Sequence, residues 1–355
     1  MKFPIKFNID HNFKYLITNL LFRILKDVFY PSNIYVFLFS FIISLFCFLI
    51  RKKYFRNTNK NITVFNTNKQ YNYEELISNN KEYFYIILIY ILFYIIEFLY
   101  IIKQLNSNGN FYYFIFLGII FISFLRNEKI YKHQIISYFV LIILFVFIFF
   151  YSFEFSGFKT KNLISTIIIS FLDYYTLGLI NGYIKYSMEV KFIDPYFIST
   201  VIMGCNLMFN LFIGGYYYFK FQIDILYDFK LKFNYKTFFY CFISSLILFA
   251  YKLFDVLVCY YYSPYHQCVC YFLSYIFTNQ KYMLNRFKYN KQILIIIYII
   301  NIFFSCVIAE IIILNFCDLE KDSKYEIQKR ATIPNINETL LEPNDEYSLV
   351  SPSIT

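Results

Sequence analysis

Tryptophan is absent from this 355-residue chain, alanine occurs only at Ala250, Ala309 and Ala331, and histidine only at His11, His133 and His266. Charged residues are also scarce, at 16%. With 59% hydrophobic residues and a mean hydropathy of +0.49, that deficit excludes an ordinary soluble domain, whose surface needs roughly a quarter charged residues. G-x-S-x-G, H-E-x-x-H and phosphate-loop motifs are missing too, which removes the common signatures of hydrolytic and nucleotide-dependent enzymes. Asp224 and Asp228 sit in a short loop without the spacing of an acidic metal pair. Without tryptophan, an interfacial aromatic belt must come from tyrosine clusters such as Tyr216 to Tyr218 and Tyr260 to Tyr262. The 39 Tyr and 48 Phe beside three Ala look like A/T-rich coding, so tyrosine abundance alone carries no chemistry.

What is abundant is apolar length. Runs of about 20 nearly uncharged residues recur, and a helix rising about 1.5 Å per residue needs about that many to cross 30 Å of hydrocarbon. The first run is Ser32 to Ile50, followed by Tyr83 to Ile102, Phe111 to Leu125, Ile135 to Tyr151, Leu163 to Ile184, Tyr196 to Phe219, Thr237 to Val258, Pro264 to Met283 and Gln292 to Asn315. Pro264 separates the seventh and eighth runs at a tight turn. Before the first run, residues 12 to 29 place Phe13, Leu16, Leu20, Ile24 and Val28 at helical spacing, which predicts an amphipathic helix lying in the membrane interface. The expected fold is an all-α polytopic bundle of about nine spans. An interfacial segment at 1–31 precedes a bundle at 32–317, and a polar tail at 318–355 lacks the apolar content to fold.

Nine spans place the two ends of the bundle on opposite faces. Arg51, Lys52, Lys53, Arg56 and Lys60 after the first span, and Lys321, Lys324, Lys329 and Arg330 after the ninth, assign those segments to the cytoplasm with the N-terminus outside. Lys2, Lys6 and Lys14, and Lys281, Arg286, Lys288 and Lys291, resist that assignment, and a tenth buried or re-entrant segment near the N-terminus stays open. The net charge of +10 reads as orientation and contact with anionic lipid, not as nucleic-acid binding.

Ionisable residues inside a bilayer are costly and mark interiors or pathways. Asp173 shares a stripe with Thr166, Ser170 and Thr176 on the fifth span, and Ser199, Asn206, Asn210 and Gly214 form a second stripe on the sixth. On the seventh, Lys252 and Asp255 lie three apart, aligned with Cys241, Ser245 and Cys259. Lys252 and Asp255 either form an internal ion pair or, with Asp173, Asn206 and Asn210, line one polar route. Glu97 beside Tyr90 and Tyr94, and Glu310, read as structural or interfacial carboxylates; Asn301 and Ser305 read as interhelical hydrogen-bonding groups.

The eight cysteines fall in or beside apolar runs and behave as small hydrophobes. His266, Cys268 and Cys270 do not complete a tetrahedral set, so neither metal nor other cofactor is expected, and no catalytic residue is assigned. Cys317 is a boundary cysteine open to acylation. Tyr347 to Val350 resembles an endosomal sorting signal that an adaptor would read in a cytosolic tail, whereas Asn61 and Asn337 head glycosylation sequons on segments assigned to the cytoplasm.

The stretch from Ser263 to Arg330, with SPYH and then EIIILNFCDLEKDSKYEIQKR, resembles the C-terminal part of uncharacterised multi-pass proteins of unicellular eukaryotes with A/T-rich genomes. A fainter likeness, to the drug/metabolite transporter superfamily, rests on the polar fifth span around Phe171, Leu172 and Asp173 and on the Ser263, Pro264 turn. That resemblance implies ten spans in two repeats, where the run count is nine and no repeat is found. The sequence therefore predicts a transporter-like or channel-like protein of an endomembrane or the plasma membrane, contacting lipid and passing a small solute or ion. A receptor or scaffold, or a membrane transferase, is the alternative.

Overall fold

The computed structural model describes residues 5–7, 13–29, 34–58, 62–63, 70–71, 80–103, 113–126, 131–156, 163–189, 193–221, 235–286 and 291–314. Ten helices make up nearly all of this: α1 (Phe13–Phe29), α2 (Ile34–Thr58), α3 (Asn80–Lys103), α4 (Tyr113–Leu125), α5 (Lys132–Ser156), α6 (Leu163–Glu189), α7 (Pro195–Phe221), α8 (Tyr235–Tyr261), α9 (Pro264–Arg286) and α10 (Lys291–Ile308). The nine apolar runs correspond to α2 through α10. Four helices contain stretches long and apolar enough to cross a membrane: Ile34–Lys53, Ile167–Glu189, Pro195–Lys220 and Tyr235–Tyr261.

Local chemistry sets the helix ends. Asp194 caps α7, its Oδ1 accepting from the Tyr196 backbone N–H at 2.7 Å while Pro195 takes the first helical position. Ser263 does the same for α9, its carbonyl accepting from the His266 N–H at 3.1 Å and its hydroxyl lying 2.8 Å from His266 Nδ1, with Pro264 as the first residue. The ninth run was expected to stay helical to Asn315, but α10 stops at Ile308. There the Ile311 N–H reaches the Cys306 carbonyl and the Glu310 N–H the Val307 carbonyl, with Glu310 at φ 56°, a left-handed closing turn of the Schellman kind. Ile312–Leu314 then extends as β4 and pairs antiparallel with β1 (Ile5–Phe7), Lys6 standing opposite Ile313. A second small ladder joins β2 (Ile62–Thr63) to β3 (Gln70–Tyr71).

Side-chain pairs fix the direction of each helix. Tyr15 stacks on Tyr261 and Phe22 on Phe254, so α1 runs antiparallel to α8, starting where α8 ends. On α2 the pairs Ser44 with Thr200, Phe48 with Phe197 and Arg51 with Asp194 climb while α7 descends. Phe98 meets Phe212 and Tyr216, which sets α3 parallel to α7. Phe114 with Phe171 and Arg126 with Tyr186 set α4 parallel to α6. Gln134 at the start of α5 donates to the Ile308 carbonyl at the close of α10. Traced through, all ten helices alternate, and the β1–β4 ladder, the start of α1 and the close of α10 share one end of the bundle, the sheet end.

The start of α2 and the close of α10 thus stand at opposite ends of the bundle, as the nine runs require, and α1 brings the start of the helical array back to the sheet end. The departure from expectation is α1. Its Leu16, Asn19 and Arg23 are buried against α8 and α9, and its Ile17, Leu21 and Leu25 face outward, so the helix is a packed member of the bundle whose polar side turns in. The register makes a test. Residues directly opposite on an antiparallel ladder hold their Cβ atoms about 4.5–5.5 Å apart, so the double variant Lys6→Cys with Ile313→Cys is expected to cross-link on mild oxidation, read as a gel-mobility shift. A double variant that stays reducible-monomer in mobility under the same oxidant would remove the β1–β4 pairing.

Polar groups are buried among the apolar core, and large apolar side chains face outward. Asn19, Ser40, Ser170, Ser199, Ser245, Asn301 and Ser305 are fully buried, whereas Phe46, Phe124, Phe139, Ile143 and Phe212 are largely exposed. Such an exterior suits a hydrocarbon solvent and not water. The tightest packing joins α4 to α6. There a Cβ on Gly118 would sit 2.8 Å from Leu179 N, and one on Gly178 would sit 3.0 Å from Gly118 Cα, so only glycine lets these backbones touch.

Candidate functional site

A cavity of about 410 Å³ opens inside the bundle, where α1, α3, α6, α7, α8 and α9 converge. All five polar residues singled out from the sequence line it: Asp173 on α6, Asn206 and Asn210 on α7, and Lys252 and Asp255 on α8. Three separate helical stripes thus meet at one place. Asn181 of α6 and Gln267 of α9 join them.

The pairing inside differs from the sequence expectation in one respect. One of the two readings paired Asp255 with Lys252 one turn away; its Oδ1 instead accepts from Arg23 Nη2 of α1 at 2.6 Å, with both side chains less than a tenth exposed. The Arg23 guanidinium is held between the Tyr251 and Tyr271 rings, 5.0 and 4.9 Å from their centroids. Lys26 and Lys252 each lie over the Tyr251 ring, at 5.4 and 4.9 Å. A planar, always-charged guanidinium reaches across helices and stacks on rings better than the local lysine can. Across the cavity the Tyr94 hydroxyl donates to Asn206 Oδ1, and Tyr94 stacks on Phe209. The Asn210 amide donates back to the Asn206 carbonyl at 2.8 Å.

Toward the sheet end the cavity is shut by apolar packing. Beyond its lining residues Ile184 and Ile202 lie Met188, Ile193, Ile198 and Cys259, all buried. Above that layer stand two polar clamps. Arg51 Nε donates to Asp194 Oδ2 at 2.8 Å with its guanidinium over Tyr196, and Lys185 bridges Glu189 and the Tyr260 carbonyl.

Other sequence readings resolve individually. Glu310 is structural: its carboxylate lies 3.3 Å from His133 Nε2, tying the close of α10 to the start of α5. Asn301 and Ser305 are fully buried, but their side-chain polar atoms find no hydrogen-bond partner among the described residues, so the expected interhelical bonds are not seen there. His266 bonds to Ser263 and stacks on Tyr262, while Cys268 and Cys270 are buried in the packing. Among the described residues no group of three His, Cys, Asp or Glu could hold a metal ion. The side chains of Thr166 and Glu97, together with Asn61, Cys317, Asn337, Tyr347 and Val350, lie outside the described residues.

Arg23, Lys26 and Tyr94 were not singled out from the sequence. A signal for Arg23 was present, since Leu16, Asn19 and Arg23 fall on one face of α1, which mixes polar and apolar residues where a surface helix would separate them. Comparison with family models, curated proteins and solved structures finds no match to this chain.

Proposed function

We propose that the chain is an integral membrane protein of ten spans and that the cavity between α1, α3, α6, α7, α8 and α9 is the binding chamber of a small-solute transporter. One observation carries this reading: a buried, charged chamber of about 410 Å³, of the size that holds small ligands, sits at the centre of helices with apolar outer faces. Charge burial of this kind is expensive in a bilayer and persists where a polar solute or water must be accommodated. The apolar layer and polar clamps at the sheet end close one side of the chamber, as an alternating-access cycle requires of each side in turn.

Alternating directions give the orientation. Segments joining or flanking helices at the sheet end carry Lys2, Lys6, Lys60, Lys69, Lys129, Lys191, Lys321, Lys324, Lys329 and Arg330, against Lys159, Lys161, Lys230, Lys232 and Lys288 at the other end. The sheet end is therefore cytosolic, which absorbs Lys2 and Lys6 into the rule they resisted under a nine-span count. Tyr347 to Val350 then lies where a sorting adaptor can read it, in a protein of an endomembrane or the plasma membrane bathed by lipid. Ten spans also suit the resemblance to the drug/metabolite transporter superfamily.

Hydration of the chamber is the test. In a background with the native cysteines replaced, single variants Asp173→Cys, Asn206→Cys, Asn210→Cys, Lys252→Cys and Asp255→Cys are expected to react with a small membrane-impermeant thiol reagent in folded protein. If all five stay unlabelled while loop controls react, the chamber is dry and the bundle is a receptor or scaffold held together by its polar stripes.

A further inference from the structure

We propose that Lys185 latches the sheet-end mouth of the chamber: its bond to the Tyr260 carbonyl ties α6 to α8 over the apolar layer, and release of that bond opens the chamber toward the sheet end. This rests on the transporter reading and names the device that controls access to the same chamber. The first argument is local chemistry. Tyr260 lies in the last turn of α8, where its carbonyl would accept from the N–H four residues on, but that residue is Pro264, which has none. Lys185 Nζ supplies a donor from α6 at 3.0 Å, and an ammonium at the C-terminal end of a helix is also favoured by the helix dipole. Glu189, on the same helix as Lys185, lies 2.8 Å from the ammonium. Lys185 therefore keeps a carboxylate partner whether or not the Tyr260 bond is made. The two side chains are 12% and 29% exposed, at the edge of water, where the carbonyl can exchange the ammonium for a water molecule. A bond that can be given up without stranding a charge is suited to switching.

The second argument is the position of the bond between packed groups. α6 is joined to α4 at the close approach of Gly118 and Gly178, and to α3 along its length; α7 is joined to α2 by Ser44 with Thr200, and α8 packs on both α2 and α7. The Lys185 bond links these two groups at the sheet end. Beneath it, Met188 of α6 meets Ile198 of α7 and Cys259 of α8 in the apolar layer. Farther from the sheet end the groups are joined through α3, by Tyr94 with Asn206 and Phe98 with Phe212. Parting at the layer while those contacts hold opens the chamber at one end only, the movement that alternating access needs. A charged hydrogen bond is strong enough to bias such an equilibrium about tenfold or more.

The experiment uses the purified full chain in detergent, with the native cysteines replaced and one reporter placed on each side of the layer: Met188→Cys and Ile198→Cys, at positions 1% and 0% exposed. Adding Lys185→Gln is expected to raise the rate of labelling by a small membrane-impermeant thiol reagent about tenfold or more at both reporters. Lys185→Arg, which keeps a charged donor, is expected to label at the parent rate. Ser305→Cys, fully buried in α10 and not in the chamber lining, is the control and is expected to stay unreactive in every background. Reporter rates unchanged by Lys185→Gln, an equal rise at Ser305→Cys, or loss of the monodisperse peak on size exclusion each overturn the latch, the last two by assigning the bond to general stability. Labelling of the chamber positions separates this failure from that of the transporter reading: a labelled chamber under an unchanged layer rejects only the latch, and an unlabelled chamber rejects the transporter.

Discussion

Arg23→Met is expected to destabilise the protein by about 3–5 kcal/mol, seen as a fall of roughly 6–10 °C in thermal midpoint. The substitution keeps most of the side-chain volume between Tyr251 and Tyr271 but leaves Asp255 charged and buried without the guanidinium that neutralises it. Asp255→Leu acts in the mirror sense, stranding the guanidinium. The double variant is expected to recover most of the loss, because a buried ion pair replaced as a whole by apolar groups is often neutral to stability, while a broken one is not. The double-mutant cycle therefore yields a large coupling energy. Single losses below about 1 kcal/mol, the range of solvent-exposed pairs, would mean that water screens the pair, and α1 would have to be reassigned to the periphery of the bundle.

Gly118→Val is expected to abolish folded protein, with no monodisperse peak on size exclusion. A Cβ at Gly118 collides with the Tyr175 carbonyl oxygen and stands 2.8 Å from Leu179 N and 2.9 Å from Gly178 Cα, all backbone atoms that no rotamer change can move. Ordinary core overpacking costs about 1–3 kcal/mol because side chains give way; here α4 and α6 must separate along their whole contact. Gly178→Ala meets the same wall from the other side, against the Ile115 carbonyl. Gly215→Ala supplies the contrast: it has nothing within 4 Å of its added Cβ and sits inside α7, so it is expected to be neutral or to stabilise by up to about 1 kcal/mol. If Gly118→Val and Gly215→Ala behaved alike, the close approach of α4 and α6 would be wrong.

Apolar run length gave α2 through α10, because spans of about 20 uncharged residues leave few alternatives and Pro195 and Pro264 mark their own helix starts. The same signal overran at the C-terminal end of α10. Ile311 to Leu314 are as apolar as the helix before them, and the departure depends on a left-handed Glu310 held by His133 from another helix, which no local pattern encodes. Helical stripes identified Asp173, Asn206, Asn210, Lys252 and Asp255 because each face could be read from one segment. The partner of Asp255 was illegible for the same reason: spacing within α8 offers Lys252, and only the tertiary arrangement brings Arg23. α1 was read as an interfacial helix because its charges are incompatible with lone insertion, and its true companions lie far along the chain.

That distance governs how the protein is made. Arg23 and Asp255 are separated by 232 residues, so at about 5–20 residues per second the ribosome needs roughly 12 to 46 s after Arg23 emerges before Asp255 exists. Throughout that interval α1 has no neutralising carboxylate from α8 and no Tyr251 or Tyr271 to stack against. The first helix synthesised is therefore among the last to find its seat. Until α8 and α9 are made, its amphipathic sequence suits it to wait at a membrane surface, the interface where the sequence alone had put it.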